Sequence, residues 1–527
     1  MMRSNLLYTA LALALVACSG TSKNPVGPGG GTGIGTATGD GTATGDVAPV
    51  AAAPPKKLVT VEGITEYQLD NGMRVLLFPD QSKDTVTVNI TYLVGSRHEG
   101  YGESGMAHLL EHMLFKGTPT RPDIWKALQD HGADFNGTTW YDRTNYYETL
   151  PANDENLTFA LEMEADRMVN STIAAEKLAT EFSVVRNEFE RGENNPVGIL
   201  EERIVSAAYL WHNYGKSTIG SRSDIERVPV ESLRAFYKKY YRPDNAVLVV
   251  AGKFDEQKTL DLIHRNFSPI ARPAVALPPT YTTEPVQDGE KQVMLRRTGD
   301  TQYVGVLYHT VAGSHPDFGA VDAAADILTA EPSGRLYKAL VEKKLATRVW
   351  ASQYPTAEPG FVLFLAEVPN GKPLEPVRDT ITSIVEGLHK TEITPAEVSR
   401  YVRKQQKNFA LYLADTQQIA VVLTEFMAMG DWRMLFVTRD RLEDVSAEAV
   451  KSASSAYFKR ANRTVGMFIP TKEVDRAPLP EQPDVAAIVK DYKGRKSLDE
   501  GETFAATFDN IEARTERHTL KNGMKVA

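Results

Sequence analysis

The stretch Gly105-Met106-Ala107-His108-Leu109-Leu110-Glu111-His112-Met113-Leu114 constrains this chain more than any other. Written on a helix, His108 stands three residues before Glu111 and four before His112, so all three polar side chains leave one face. Leu109, Leu110, Met113 and Leu114 fill the remaining arc, which seats the helix on a core and fixes where the imidazoles point. Two neutral imidazoles from adjacent turns reach one zinc ion at about 2.0–2.1 Å each, which leaves the carboxylate between them near metal-bound water. The competing reading is a helix whose histidines merely hydrogen-bond inside a core, and the context of the motif decides between the two.

A zinc ion that does chemistry keeps three protein ligands and one open position. The third ligand is expected on the charged amphipathic helix that begins near Ala174, where Glu181 and Glu188 lie seven residues apart on one face. One of the two can ligate while the other steadies a ligand or the water. Alternatively both only pair with Arg186 and Arg191 on a solvated face, the usual fate of a charge run.

In these residues the chain resembles the pitrilysin/insulysin family of inverzincin metallopeptidases, whose signature is His-x-x-Glu-His followed by a ligand Glu about 75 residues later. Here 75 residues lie between His112 and Glu188. The resemblance implies His108, His112 and Glu188 as the zinc ligands, Glu111 as the general base and Glu181 as the supporting acid. Gly95-Ser96-Arg97-His98-Glu99 and Phe115-Lys116-Gly117-Thr118 are similar to the family's flanking phrases. His131-Gly132-Ala133-Asp134-Phe135-Asn136-Gly137-Thr138-Thr139 resembles the edge strand on which the family lays its substrate, with Asn136 as a substrate-binding position; Gly137 stands where many relatives have Ala.

The beginning of the chain carries a different message. Met1-Met2-Arg3 and the apolar run from Leu6 to Ala17 read as a secretory signal, too short for a mature membrane span. Leu15-Val16-Ala17-Cys18 resembles a bacterial lipobox, which implies lipidation of Cys18 and, with Ser19 following, an outer-membrane destination. Cys18 is the only cysteine, so no disulfide can form within the chain. The Gly, Thr, Ala and Pro residues that follow have too little apolar surface to offset ordering entropy and read as a disordered tether.

From Gly63 the pattern is that of an α+β protein. Asp70-Asn71-Gly72 turns a hairpin, Val86 to Tyr92 alternates as a strand, and the metal helix precedes two strands between Phe135 and Leu150. Helices follow near 155–169, 174–193, 197–210 and 230–240, then a strand at 245–251 and a helix at 255–266. After a proline-rich boundary at 269–285 the order of elements recurs without the motif, so the fold class is two consecutive homologous mixed α/β domains. The second copy resembles the family's silent domain, and its His309 and His315, lacking helical partners, read as structural or surface residues. Residues 513–527 repeat the pattern that starts at Thr65. The expected layout is a signal peptide over 1–18, a tether over 19–58, a catalytic domain over 59–270, a non-catalytic domain over 286–490, a linker over 491–512 and the first strand of a further, truncated domain over 513–527.

Net charge is −9 without a basic block, which excludes nucleic acid as an expected partner. Apart from the signal no apolar run can cross a bilayer, so contact with lipid would run through Cys18 alone. The resemblance implies zinc-dependent hydrolysis of extended peptides or unfolded protein, with Glu111 as base, in the cell envelope of a Gram-negative bacterium. The alternatives are a silent scaffold of the same fold, or a half-enzyme that needs a C-terminal half or partner subunit.

Overall fold

The computed structural model describes residues 53–473, 475–495 and 501–527. The signal peptide, Cys18 and the tether up to residue 52 lie outside the described residues. Two compact units are present, one up to residue 474 and one from 475 onward.

The first unit opens with β1 (Lys56–Val61), β2 (Ile64–Gln68), β3 (Arg74–Pro79) and β4 (Thr85–Tyr92). The strand β1 begins inside the span expected to be tether: its register against β2 supplies the ordering that composition did not announce. The Asn71-Gly72 turn forms as expected, with Gly72 at φ 92° and the Leu69 amide donating to Met73 O at 2.9 Å. Next come α1 (Met106–Met113), α2 (Ile124–Asp130), β5 (Asp134–Thr139), β6 (Thr144–Pro151), α3 (Asp154–Asn170), α4 (Ala175–Glu193) and α5 (Pro196–Ala208). They are followed by α6 (Arg222–Ile225), α7 (Val230–Tyr240), β7 (Ala246–Gly252) and α8 (Glu256–Phe267). The strand order is β1-β2-β3-β7-β4-β6-β5, with only β3 and β7 parallel, so β5 is an edge.

The second repeat runs through β8 (Lys291–Thr298), β9 (Gln302–His309), α9 (Phe318–Thr329), β10 (Arg348–Gln353) and β11 (Phe361–Val368). It continues with α10 (Glu375–Gly387), α11 (Pro395–Ala414), α12 (Thr416–Ala428), α13 (Met434–Asp440), α14 (Ala447–Tyr457) and β12 (Arg463–Thr471). Its order, β10-β11-β9-β12-β8, reproduces that of the five strands from β3 to β7. Two domains of one topology therefore stand in series.

Each sheet buries its main face under helices of its own repeat. Val75, Leu77, Val88, Ile90, Leu248 and Val250 meet α1, α3, α7 and α8, while Val306, Phe364 and Val465 meet α9, α10 and α14. The opposite faces are covered by exchange. Helix α12 lies on β4 and β7, packing Ile419 and Leu423 against Leu76, Val247 and Val249. In return α5 lies on β8, β9 and β12, with Ile199, Leu200 and Ile204 against Leu307, Leu363 and Leu365. Two cross-strand partners, Gly305 and Gly466, make room for this helix: a Cβ on either would sit within 2.5 Å of Ile204. No helix among the described residues is long and apolar enough to cross a membrane.

In the second unit, α15 (Val485–Val489) and α16 (Phe508–Arg514) both precede a small hairpin; α15 falls at the end of the span expected to be the non-catalytic domain, and α16 overlaps the end of the expected linker. The hairpin pairs β13 (His518–Thr519) with β14 (Lys525–Val526) around Gly523 at φ 83°, and the Leu520 amide donates to Met524 O at 2.8 Å. This is the turn of β2 and β3 made a second time.

Candidate metal centre

Helix α1 is only eight residues long and lacks a side chain at its N-cap, Gly105. The cap comes from upstream instead: Glu99 accepts from the Gly105 and Ala107 amides at 2.9 Å each, satisfying donors that a helix start leaves open. Burial pushes this carboxyl up to about 8 in spite of those two bonds. Leu109, Leu110, Met113 and Leu114 are buried, so the polar face is held toward α4 and β5.

On that face His108 Nε2 and His112 Nε2 are 3.3 Å apart, and Glu188 Oε2 of α4 stands 3.7 Å from the first and 3.5 Å from the second. A tetrahedral centre with bonds of about 2.0–2.2 Å separates its donors by roughly 3.3–3.6 Å. The triangle therefore has the dimensions of three corners of such a centre. Two nitrogens and one carboxylate oxygen, drawn from two helices, also match the donor chemistry of zinc. Among the described residues no other group of three or more such donors converges in this way.

Glu181, also on α4, stands behind the triangle. Its Oε1 is 2.9 Å from His112 Nδ1 and its Oε2 is 2.5 Å from Lys116 Nζ. That bond keeps Nδ1 protonated, so Nε2 is the nitrogen from which a metal ion would displace a proton and take the lone pair. Lys116, one turn beyond His112, was not singled out from the sequence, although its spacing puts it on the same face. Arg186 meets Glu190 at 4.0 Å and not the two acids of interest, and the charge of Arg191 acts on Glu188 less than His112 and His108 do, so the solvated-pair alternative does not describe Glu181 or Glu188.

Charge around the site favours a cation. Burial draws His112 down, but its bonds to Glu181 and Glu188 prevail and hold it up at about 10. His108, governed by burial, is lowered to about 3. For Glu188 burial works upward, yet the hydrogen bond and charge of His112 outweigh it and the carboxyl lies below its ordinary range. Glu111 is the exception: burial dominates and raises it, with His112, Thr139 and Arg143 pulling the other way.

The edge strand completes the site. Alternation along β5 turns Phe135, Gly137 and Thr139 toward α1 and Asn136 toward the opposite face. The Thr139 hydroxyl donates to Glu111 Oε2 at 2.7 Å. A Cβ at Gly137 would lie 3.0 Å from both Glu111 Cγ and Oε1, so the strand backbone passes directly over the carboxylate. Asn136 Oδ1 accepts from the Gly137 amide at 3.0 Å, which occupies one main-chain donor of β5. Thr139 was missed in the sequence because a threonine in a strand carries no signal of its own. His309 and His315 join no ligand group: His309 Nε2 meets Ala208 O at 3.2 Å, and His315 Nδ1 accepts from the Asp317 amide.

Residues 74–222 match the family model described as Insulinase (Peptidase family M16), and residues 227–405 match the one described as Peptidase M16 inactive domain. Together the two models cover more than half of the chain. A Helicobacter pylori protein named zinc protease PqqE is 29% identical over 409 residues, 76% of this chain and 92% of that protein. A crystal structure of a protease from Helicobacter pylori superposes with a TM-score of 0.74 at 28% identity, covering 79% of this chain and all of the other. The first half of the periplasmic protease PqqL from Escherichia coli shares the fold, with a TM-score of 0.63 at 17% identity over 81% of this chain and 96% of that one. The chain belongs to peptidase family M16, the insulinase family.

Proposed function

We propose that this chain is a zinc-dependent endopeptidase acting on extended peptides or unfolded segments of protein. The observation that carries the reading is the donor triangle of His108, His112 and Glu188 with the Glu111 carboxylate fixed beside it by Thr139. His108 Nε2, His112 Nε2 and Glu188 Oε2 would hold the metal, and Glu181 would orient the His112 ring. When bound there, zinc supplies Lewis-acid polarisation of a carbonyl and makes water acidic enough to lose a proton near neutral pH.

The protein's own residues do the rest. Thr139 occupies Glu111 Oε2, which leaves Oε1 to accept a proton from water and return it to the departing amine nitrogen. Burial raises the proton affinity of Glu111 above that of a free carboxylate, the direction required of a base that must later return its proton. The open edge of β5 would pair with an extended peptide backbone, which gives affinity through main-chain bonds and little demand on sequence. A second reading, that cleavage awaits another pair of repeats, is favoured by the hairpin at His518–Thr519 and Lys525–Val526, which repeats β2 and β3.

The test is metal analysis of the purified chain with a quenched-peptide assay, run with and without chelator and with an added second pair of domains. Cleavage lost to chelator, and reduced about 10²-fold or more in Glu111→Gln with its zinc retained, is the expected result. A chain that holds no zinc would be a silent scaffold instead.

A further inference from the structure

Helix α12 brings more than apolar side chains to the first sheet. Asn89 of β4 donates through Nδ2 to Ala420 O at 2.8 Å and to Thr424 Oγ1 at 2.7 Å. Asn145 of β6 donates to Asn89 Oδ1 at 2.9 Å. Beside them lies Arg143, only 1% exposed, in the tight turn between β5 and β6 that the Trp140 amide closes by donating to Arg143 O. Its Nε and one terminal nitrogen donate to Glu425 of α12. The other terminal nitrogen donates to Thr138 O at 3.0 Å and Thr138 Oγ1 at 2.6 Å.

A buried guanidinium must have its charge and its donors answered. Among the described residues the only acid paired with Arg143 is Glu425, which comes from the second repeat, 282 positions away. With its remaining terminal nitrogen Arg143 reaches Asn145 Oδ1 at 3.3 Å and grips Thr138, the neighbour of the residue whose hydroxyl holds Glu111. We infer that Glu425 is a positioning residue for the proposed general base, acting through Arg143 and the Thr138–Thr139 end of β5. The repeat without a metal motif thus supplies part of the frame for the site in the other. This rests on the peptidase reading given above, and the test separates the two.

The experiment is a double-mutant cycle of Thr139→Val and Glu425→Gln in the peptide assay, with hydrogen–deuterium exchange of residues 134–139 measured on the same samples. Glu425→Gln is expected to lower kcat about tenfold with KM changed less than about threefold, and the pair to be no slower than Thr139→Val alone, because both break one chain of contacts. Exchange in β5 should quicken by about tenfold. Glu425→Gln leaves a buried cation unanswered and can fail to fold, so Arg143→Met with Glu425→Gln removes both charges, and the same kcat loss with a near-normal melting temperature is expected. Losses that multiply in the cycle, or full kcat with unchanged exchange in the charge-free pair, overturn the inference. If the wild-type chain cleaves nothing even with a second pair of domains added, the peptidase reading falls, and exchange alone then decides the hold of Glu425 on β5: faster upholds it, unchanged overturns it.

Discussion

The carboxylate of Glu111 is confined from three sides: by its own helix, by the Thr139 hydroxyl, and by the bare backbone at Gly137. That confinement explains why the absence of a side chain at position 137 matters. Adding one methyl there places carbon 3.0 Å from both Glu111 Cγ and Oε1, closer than unstrained contact allows, so either the carboxylate or the strand must shift. The neighbour need give by only a few tenths of an ångström, and the resemblance puts Ala here in many relatives, so Gly137→Ala should lower kcat by less than about threefold with the melting temperature little changed; steady-state kinetics and calorimetry on one preparation check it. Glu181 acts at one remove, on the far nitrogen of His112. Glu181→Gln keeps the shape but weakens the orienting bond, and zinc affinity should fall by about 10–100-fold in a competition titration with a chromogenic chelator. The acids 181 and 188 could not be told apart by periodicity, since seven residues return to the same helical face. The distances separate them: one carboxylate closes the triangle, and the other backs an imidazole.

Most elements were legible in the chain because apolar periodicity marks them: β4 alternates, α1 shows a buried stripe, and Asn71-Gly72 announces its turn. Helix α13 and strand β1 were not. The first is seven residues long, and the second sits at an edge with an exposed, lysine-led start, so neither presents a clear period. Periodicity also says which face of α5 or α12 is apolar without saying which sheet receives it, and so the exchange between repeats could not be read. The helices α9 and α11 stand in the second repeat where α1 and α4 stand in the first. There Lys404 Nζ meets Asp326 Oδ1 at 2.6 Å, and Asp322 accepts from Tyr401 at 2.9 Å and from Gln405 at 3.0 Å. A half-buried ammonium and an acid pair occupy the helix pairing that carries donors in the other copy. Burial lifts Asp322 to about 6 from its ordinary value of 3.8. The folded chain keeps that proton where the unfolded chain has lost it, so the associated stability is full below about pH 4 and is lost as pH rises through about 6, by up to about 3 kcal/mol. Denaturant unfolding followed from pH 4 to pH 7 should show this decline in the wild type and a flatter profile in Asp322→Asn.

At the scale of the molecule, the reciprocal covering of the sheets makes the two repeats one cooperative body. Without α12, the face formed by Leu76, Val247, Val249 and Ala251 would lie open to water; without α5, so would Leu307, Leu363 and Leu365. Removing either helix forfeits several fully buried side chains, each worth about 1.5–3 kcal/mol, more than a marginally stable domain can spare. The described residues up to 473 should accordingly melt in a single calorimetric transition with matching calorimetric and van 't Hoff enthalpies. Two resolved transitions would mean that the exchange does not couple the repeats. The same covering bears on how the protein is made. Strand β7 finishes the first sheet roughly 160 residues before α12 emerges from the ribosome, an interval of roughly ten to thirty seconds at 5–20 residues per second. Throughout that time a wide greasy surface is bare on the nascent polypeptide, open to aggregation until the late segment arrives to cover it.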